Sequence, residues 1–332
     1  MPSWGEILKE LGELQASPPD NLPQGVSIYD YVRRKYLSEL HALTGRNTVL
    51  YASDWLSPSG PNKPVADVGI SLRDMQGLME VFRGLSGEDL DLILHSPGGS
   101  VEAVDRLVRY MRSKFKDVRV FVPLAAMSAG TMWSLAADRI VMGKHSQLGP
   151  TDPQVFLPSG LKPAGGLRQE FNKVVEECRN DPARLSAWLP ILQQYSPGLL
   201  QLCEDAEELG QELVEEWLRT YMFADLADGE AKAKEAAAFF ADQKLHKAHG
   251  RGVDREQARR LGIAIENLED DQDLQDAVLS VHHAAMHTFG STAATKLVEN
   301  HLGRAWIEQS KVVMVQMPQQ VNPAGATPIP GS

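Results

Sequence analysis

Apolar positions along the chain change their spacing from one stretch to the next. Trp4, Ile7, Leu8, Leu11 and Leu14 recur at helical intervals and predict a short amphipathic helix, followed by a Pro/Gly-containing linker at 17–25. Between 47 and 165, short apolar runs alternate with helical faces. Strands are expected at 48–52, 90–95, 118–122 and 139–142, with a loop at 53–63. Helices are expected at 72–84, 101–114 and 127–137, the second carrying Val101, Val104, Leu107, Val108 and Met111 on one face. Strands alternating with helices predict an α/β fold with a mostly parallel sheet and right-handed βαβ crossovers. From Arg168 the pattern is helical, with segments at 168–178, 181–193, 199–221 and 229–247. Asp254 then N-caps a helix that Gly262 stops, and a long helix is expected over 274–301. Residues 316–332, rich in Pro, Gln, Ala and Gly, read as a flexible tail.

Composition narrows the class. The 332 residues are 43% hydrophobic and 23% charged, enough apolar material for a core. A formal charge of −11 disfavours phosphate backbones and anionic membranes, so no nucleic-acid partner is expected. Two cysteines, Cys178 and Cys203, lie outside any CxxC or metal spacing, which fits a reducing, cytoplasmic setting and predicts neither a disulfide framework nor a structural zinc. Glu6, Lys9, Glu10 and Glu13 interrupt any signal-peptide apolar run, and no uninterrupted apolar stretch reaches the length of a membrane span.

Two small-residue motifs fall where an α/β sheet places its sites, past the carboxyl ends of strands. The first, His95-Ser-Pro-Gly-Gly-Ser, has two glycines that let backbone approach a ligand closely. As a structural feature it is a tight strand-to-helix turn. The second, Ala125-Ala-Met-Ser-Ala-Gly-Thr, opens a helix, so Ser128 is either an N-cap or a nucleophile near the helix N-terminus, with the Ala129 N–H pointing the same way. Together they offer a nucleophile and N–H donors for an oxyanion, the two requirements of acyl transfer.

The run from Leu92 to Gln154, with SPGGS, MSAGT and MGKHSQLGPTDPQ in order, resembles the Clp-type serine peptidases and signal peptide peptidases of the crotonase-like fold, and most closely the serine dehydrogenase proteinase family. The resemblance implies Ser128 as nucleophile and Gly98 and Ala129 as oxyanion-hole donors. Clp peptidases have a histidine near the position of Thr151-Asp152. The serine dehydrogenase proteinases instead order their triad Ser, Asp, His, which implies Asp152 in LGPTDP and a later histidine. His249, in a His-Gly-Arg element ahead of Arg260-Leu-Gly-Ile, is that candidate. Chain order is immaterial, since a triad is a matter of geometry. Each residue also has an ordinary structural role open to it: Asp152 as a turn-forming residue before proline, His249 as a loop or capping histidine.

Other arrangements stay in view. Lys144, Lys162 and Lys173 keep a Ser-Lys dyad open. His95 and His145 read as wall or strand-end residues. His283 and His287 share a helix face at metal-pair spacing, but without a third ligand or HExxH no metal is expected. Neither a Rossmann nor a P-loop glycine motif is present, so no cofactor is expected. The chain divides into an N-terminal helix and linker (1–25), a Clp/crotonase-like catalytic core (26–167), a helical extension packing back on the core (168–315) and a tail (316–332). The leading reading is a serine peptidase acting on peptides or unfolded protein. The resemblance further implies a homo-oligomer, with a partner ATPase or adaptor. The alternatives are an inactive Clp-like scaffold and, on the same fold, crotonase-type acyl-CoA chemistry, against which the MSAGT serine argues.

Overall fold

The computed structural model describes residues 3–20, 22–56, 68–157 and 160–310. In chain order these form α1 (Trp4–Ala16), α2 (Ile28–Thr44), β1 (Asn47–Ser53), α3 (Asp74–Phe82), β2 (Asp89–His95), α4 (Val101–Lys114), β3 (Asp117–Val122), β4 (Ala125–Ala126), α5 (Ala129–Leu135), β5 (Arg139–Met142) and β6 (Gln147–Leu148). There follow β7 (Gln154–Leu157), β8 (Gly160–Pro163), α6 (Ala164–Asn180), α7 (Leu185–Leu192), α8 (Leu199–Thr220), α9 (Gly229–Ala241), α10 (Gln243–His246), α11 (Arg255–Arg260), β9 (Ile265–Asn267), α12 (Gln272–Ser291), β10 (Ala294–Asn300) and β11 (Ala305–Gln309).

The central sheet runs β11-β10-β1-β2-β3-β5-β9. β1, β2, β3, β5 and β9 are parallel, while β10 and β11 close one edge antiparallel. Its inner strands are apolar on both faces, as a sheet covered on both sides must be. Successive side chains point to opposite faces. Leu92 and Leu94 join one core with Val120, Ile140 and Trp133, whereas Ile93 joins a second core with Phe121, Val141 and Leu50. The first core is covered by α3, α4, α5, α8 and α9, the second by α1, α2 and α12. α1 and α2 each begin with a capping box, Ser3/Glu6 and Ser27/Asp30, which satisfies N–H groups that a helix start otherwise leaves unpaired.

The expected strands and crossover helices of the first half are present with ends shifted by a few residues. The second half departs further. The helix expected over 274–301 stops at Ser291, and 294–300 is strand β10, buried along its whole length. Its Lys296 and Glu299 look like the polar face of a helix in sequence. In the fold they are buried ion-pair partners: Lys296 with Asp74, and Glu299 with Arg33 and Arg34. With β9 and β11, the stretch expected as a helical extension therefore adds three strands to the central sheet. α2 is a further element that the sequence reading does not predict. The tail expected at 316–332 lies outside the described residues.

Candidate active site

β3 ends at Val122 and the chain turns to run beside the end of β2. Ser96 N–H donates to Ala125 O (3.2 Å) and Met127 N–H to Ser96 O (2.9 Å), which locks the MSAGT loop against the SPGG turn. Ser128 sits at the first corner of α5 with φ 51° and ψ −120°, a backbone conformation that costs a non-glycine residue energy and persists only where its surroundings impose it. Ser128 makes no side-chain cap hydrogen bond, so its hydroxyl is not used for the N-cap role open to it in sequence. Gly98 is required beside it. Its φ is +98°, and a Cβ there would lie 2.5 Å from Ser128 Cβ and 2.7 Å from Met127 O.

The LGPTDP segment is tied to the same loop. Thr131 Oγ1 lies 2.7 Å from Ala126 O and 2.9 Å from Gly149 O and accepts the Gly149 N–H at 2.7 Å. A Cβ on Gly149 would reach within 3.0 Å of Met127 Cα, so the two loops can touch only because this residue is glycine. Asp152, 3% exposed, then meets His249: Nδ1 lies 2.8 Å from Oδ1, while Oδ2 accepts Gln154 Nε2 at 3.0 Å. The loop bearing His249 is stitched to the LGPTDP segment. Leu148 and Val253 exchange both backbone hydrogen bonds (3.0 and 2.7 Å), and Thr151 N–H donates to Phe240 O at 2.8 Å. Beyond it, Asp254 caps α11 in a capping box with Gln257.

Ser128, His249, Gly98, Gly99 and Thr151 line one cavity of about 600 Å³, whose other walls include Trp55, Val68, Val101, Glu102, Leu161 and Leu209. Ser128 and His249 share this cavity without a direct hydrogen bond between them. Catalytic hydrogen bonds of this kind are commonly long until substrate binds. The two expected oxyanion donors differ. The Gly98 N–H donates to Ser96 Oγ at 3.2 Å, whereas Ala129 heads α5, one residue past Ser128. Ser96, whose Oγ accepts this N–H, is legible in sequence only as the first residue of the SPGG motif. Gln154, which holds Asp152, likewise closes the recognised run.

The alternatives fare differently. Lys144 and Lys162 are exposed and Lys173 pairs with Glu177, and none of the three borders the cavity. His95 is fully buried at the end of β2. Its ring packs against Trp55 and His282, and desolvation lowers its pKa to about 4, so it stays neutral. Desolvation also lowers His282 well below, and His283 below, the ordinary imidazole value. His145, His283 and His287 line a separate cavity under α1, where Trp4 packs on His283 and His287. No group of three potential metal ligands occurs among the described residues. There, too, no helix is long and apolar enough to cross a membrane. Cys178 and Cys203 are unpaired.

Residues 70–178 match the family model of the ClpP-like SDH-type serine proteinases. That segment holds the SPGG, MSAGT and LGPTDP motifs, and the match agrees with the family resemblance those motifs carry. Two proteins of Methanocaldococcus jannaschii are similar in sequence. The uncharacterized protein MJ0137 is 29% identical over 198 residues, 59% of this chain and 60% of its own length. The uncharacterized protein MJ1495 is 32% identical over 114 residues, 34% of this chain and 37% of its own. The chain thus spans less than two thirds of either relative. Two solved structures of the 1510-N membrane-bound stomatin-specific protease are remotely similar. A lysine variant in complex with a substrate peptide has a TM-score of 0.35 at 16% identity, covering 57% of this chain and 65% of that one. A serine variant has a TM-score of 0.38 at 14% identity, covering 63% and 79%.

Proposed function

We propose that this chain, whose residues 70–178 are of the ClpP-like SDH type, is a serine peptidase with Ser128 as nucleophile, His249 as base and Asp152 as the partner that orients His249. The observation that carries the reading is the Asp152–His249 hydrogen bond at the wall of the cavity onto which the strained Ser128 turn opens. With Nδ1–H held by Asp152, the free Nε2 of His249 is the acceptor tautomer. Ser128 Oγ attacks the scissile carbonyl carbon and its proton passes to Nε2. The carbonyl oxygen becomes anionic beside Ala129 N–H and the Gly98 turn. The C–N bond breaks as the imidazolium returns the proton to the amine. Water then repeats the sequence on the acyl-serine and regenerates Ser128.

In this reading Gly98 supplies its N–H by sharing it with, or releasing it from, Ser96 Oγ. The Ser-Lys alternative lacks a lysine at the cavity among the described residues. Substrates are peptides or unfolded protein, matching a cavity walled mainly by apolar side chains and glycine backbone. A homo-oligomer in the cytoplasm belongs to the same proposal. Phe156 and Leu161, 78% and 62% exposed on the β7–β8 hairpin, suit a contact with a second copy. The test of the reaction is cleavage of casein or labelled peptides by the wild type and by Ser128→Ala. Loss of cleavage in the variant is expected, and unchanged cleavage contradicts the assignment.

A further inference from the structure

Strand β10 carries a charge where a two-sided interior strand is expected to be apolar. Lys296 is 1% exposed, and its partner Asp74 is fully buried. Lys296 Nζ donates to Asp74 Oδ1 at 2.7 Å and stands 3.6 Å from Glu308. Asp74 Oδ2 in turn accepts the Tyr51 hydroxyl (2.7 Å) and the Ser71 N–H (2.9 Å). Tyr51 is held protonated by desolvation and by Asp74, so it remains a donor. A buried ion pair is weak evidence for stability, because desolvation offsets most of its attraction. The ammonium's second hydrogen bond reaches beyond the pair: Lys296 Nζ donates to Gly69 O at 2.8 Å, and Gly69 lines the cavity shared by Ser128 and His249.

The Gly69 carbonyl and the Ile70 N–H belong to one planar peptide. Lys296 holds one end of that peptide, and the other end donates to Gly98 O at 2.7 Å. Gly98 O in turn belongs to the planar Gly98–Gly99 peptide. Ser100 N–H to Ile70 O (2.9 Å) completes the bridge, and the contact is so close that a Cβ on Gly99 would lie 2.3 Å from Ile70 N and O. On its far side Gly98 touches Ser128. The relay from lysine to nucleophile thus passes through two rigid peptide units and little else.

We propose that Lys296 is a positioning residue of the active site: held by Asp74 and Tyr51, it fixes the Gly69–Ile70 peptide and through it the Gly98–Gly99 turn against Ser128. The proposal rests on the serine-peptidase reading for its catalytic consequence, and on geometry alone for the clamp. Lys296 lies outside the segment matched by the family model, so the C-terminal strand contributes to the site from beyond that segment.

The test is Lys296→Met, with Lys296→Met/Asp74→Asn as the charge-neutral form should the single variant fail to fold. Active sites are titrated with a fluorophosphonate, and kcat per titrated site and KM are measured on a labelled peptide. A misplaced oxyanion turn is expected to lower kcat per titrated site by about 10²-fold with KM little changed. The affinity for a peptide aldehyde, which forms a tetrahedral adduct, should fall in parallel. A purely structural lysine would lower the titratable fraction while each titrated site turned over at the wild-type rate, and that result overturns the proposal. Hydrogen exchange of segments 68–72 and 96–101 gives a readout independent of activity. Selective loss of protection there supports the clamp even if the wild type proves inactive, in which case the peptidase reading alone falls. Unchanged protection overturns the clamp and leaves that reading standing.

Discussion

The two halves of the candidate site are held in different ways. Ser128 sits in a strained turn packed against the SPGG turn, at the end of two buried strands, and a Cβ added at Gly98 would collide with Ser128 Cβ and Met127 O. His249 sits in a surface loop between α10 and α11, its side chain 28% exposed, positioned by one carboxylate and by the Leu148–Val253 pairing beneath it. The proposed nucleophile is placed by steric exclusion, the proposed base by a few hydrogen bonds. The first should be intolerant of change and independent of substrate. The second rests on fewer contacts, and both residues face one cavity without touching.

Substitutions can break or sharpen this contrast. The largest effect is expected from Gly98→Ala, whose new Cβ overlaps Ser128 and whose φ is unfavourable for alanine. Peptide cleavage and fluorophosphonate labelling should both disappear, and wild-type rates would show that the nucleophile side is not sterically fixed. On the base side, Asp152→Asn should lower kcat on the order of 10⁴-fold by favouring the wrong tautomer while the chain stays folded. A loss of less than tenfold would remove Asp152 from the mechanism.

Thr131→Val tests the joint between the two halves. It strips the hydroxyl that accepts the Gly149 N–H, and a buried N–H left unpaired costs about 1–3 kcal/mol. Thermal unfolding should register that loss, and an unchanged melting temperature would mean the loops are held together otherwise. A further effect is on pH-dependent stability. The depressed pKa values of His95, His282 and His283 mean that the unfolded chain takes up protons before the folded one does. Stability is then full above the ordinary imidazole value of about 6.5 and declines as pH falls below it, down to the value of about 4 at His95. Melting temperature followed from pH 7 to pH 4 should trace that slope, and the slope should flatten in His95→Leu. A slope unchanged by that substitution contradicts the assignment.

The same contrast governs what could be read from the sequence. Strand–helix alternation between 47 and 142 is visible because each inner strand is apolar on both faces and each crossover helix has one apolar stripe. The SPGG and MSAGT turns are visible because their glycines and small residues have no alternative. Strand β10 falls inside the helix expected over 274–301, and its Lys296, Glu299 and Asn300 are polar residues on a buried strand. They are buried because Asp74, Arg33 and Val81 O, more than two hundred residues earlier in the chain, satisfy them. No local pattern can announce such partners. His249 stands between these cases: residue type and spacing allow several histidines, and only the family resemblance preferred this one, ahead of the contact with Asp152 that the fold provides.

The most direct measurement of the central claim is the rate of fluorophosphonate labelling, with the modified residue located by peptide mass spectrometry, in the wild type, Ser128→Ala and His249→Ala. The account predicts a single adduct on Ser128, none in Ser128→Ala, and labelling in His249→Ala slowed by orders of magnitude. An adduct on another residue that persists in Ser128→Ala, or labelling unaffected by His249→Ala, would contradict it.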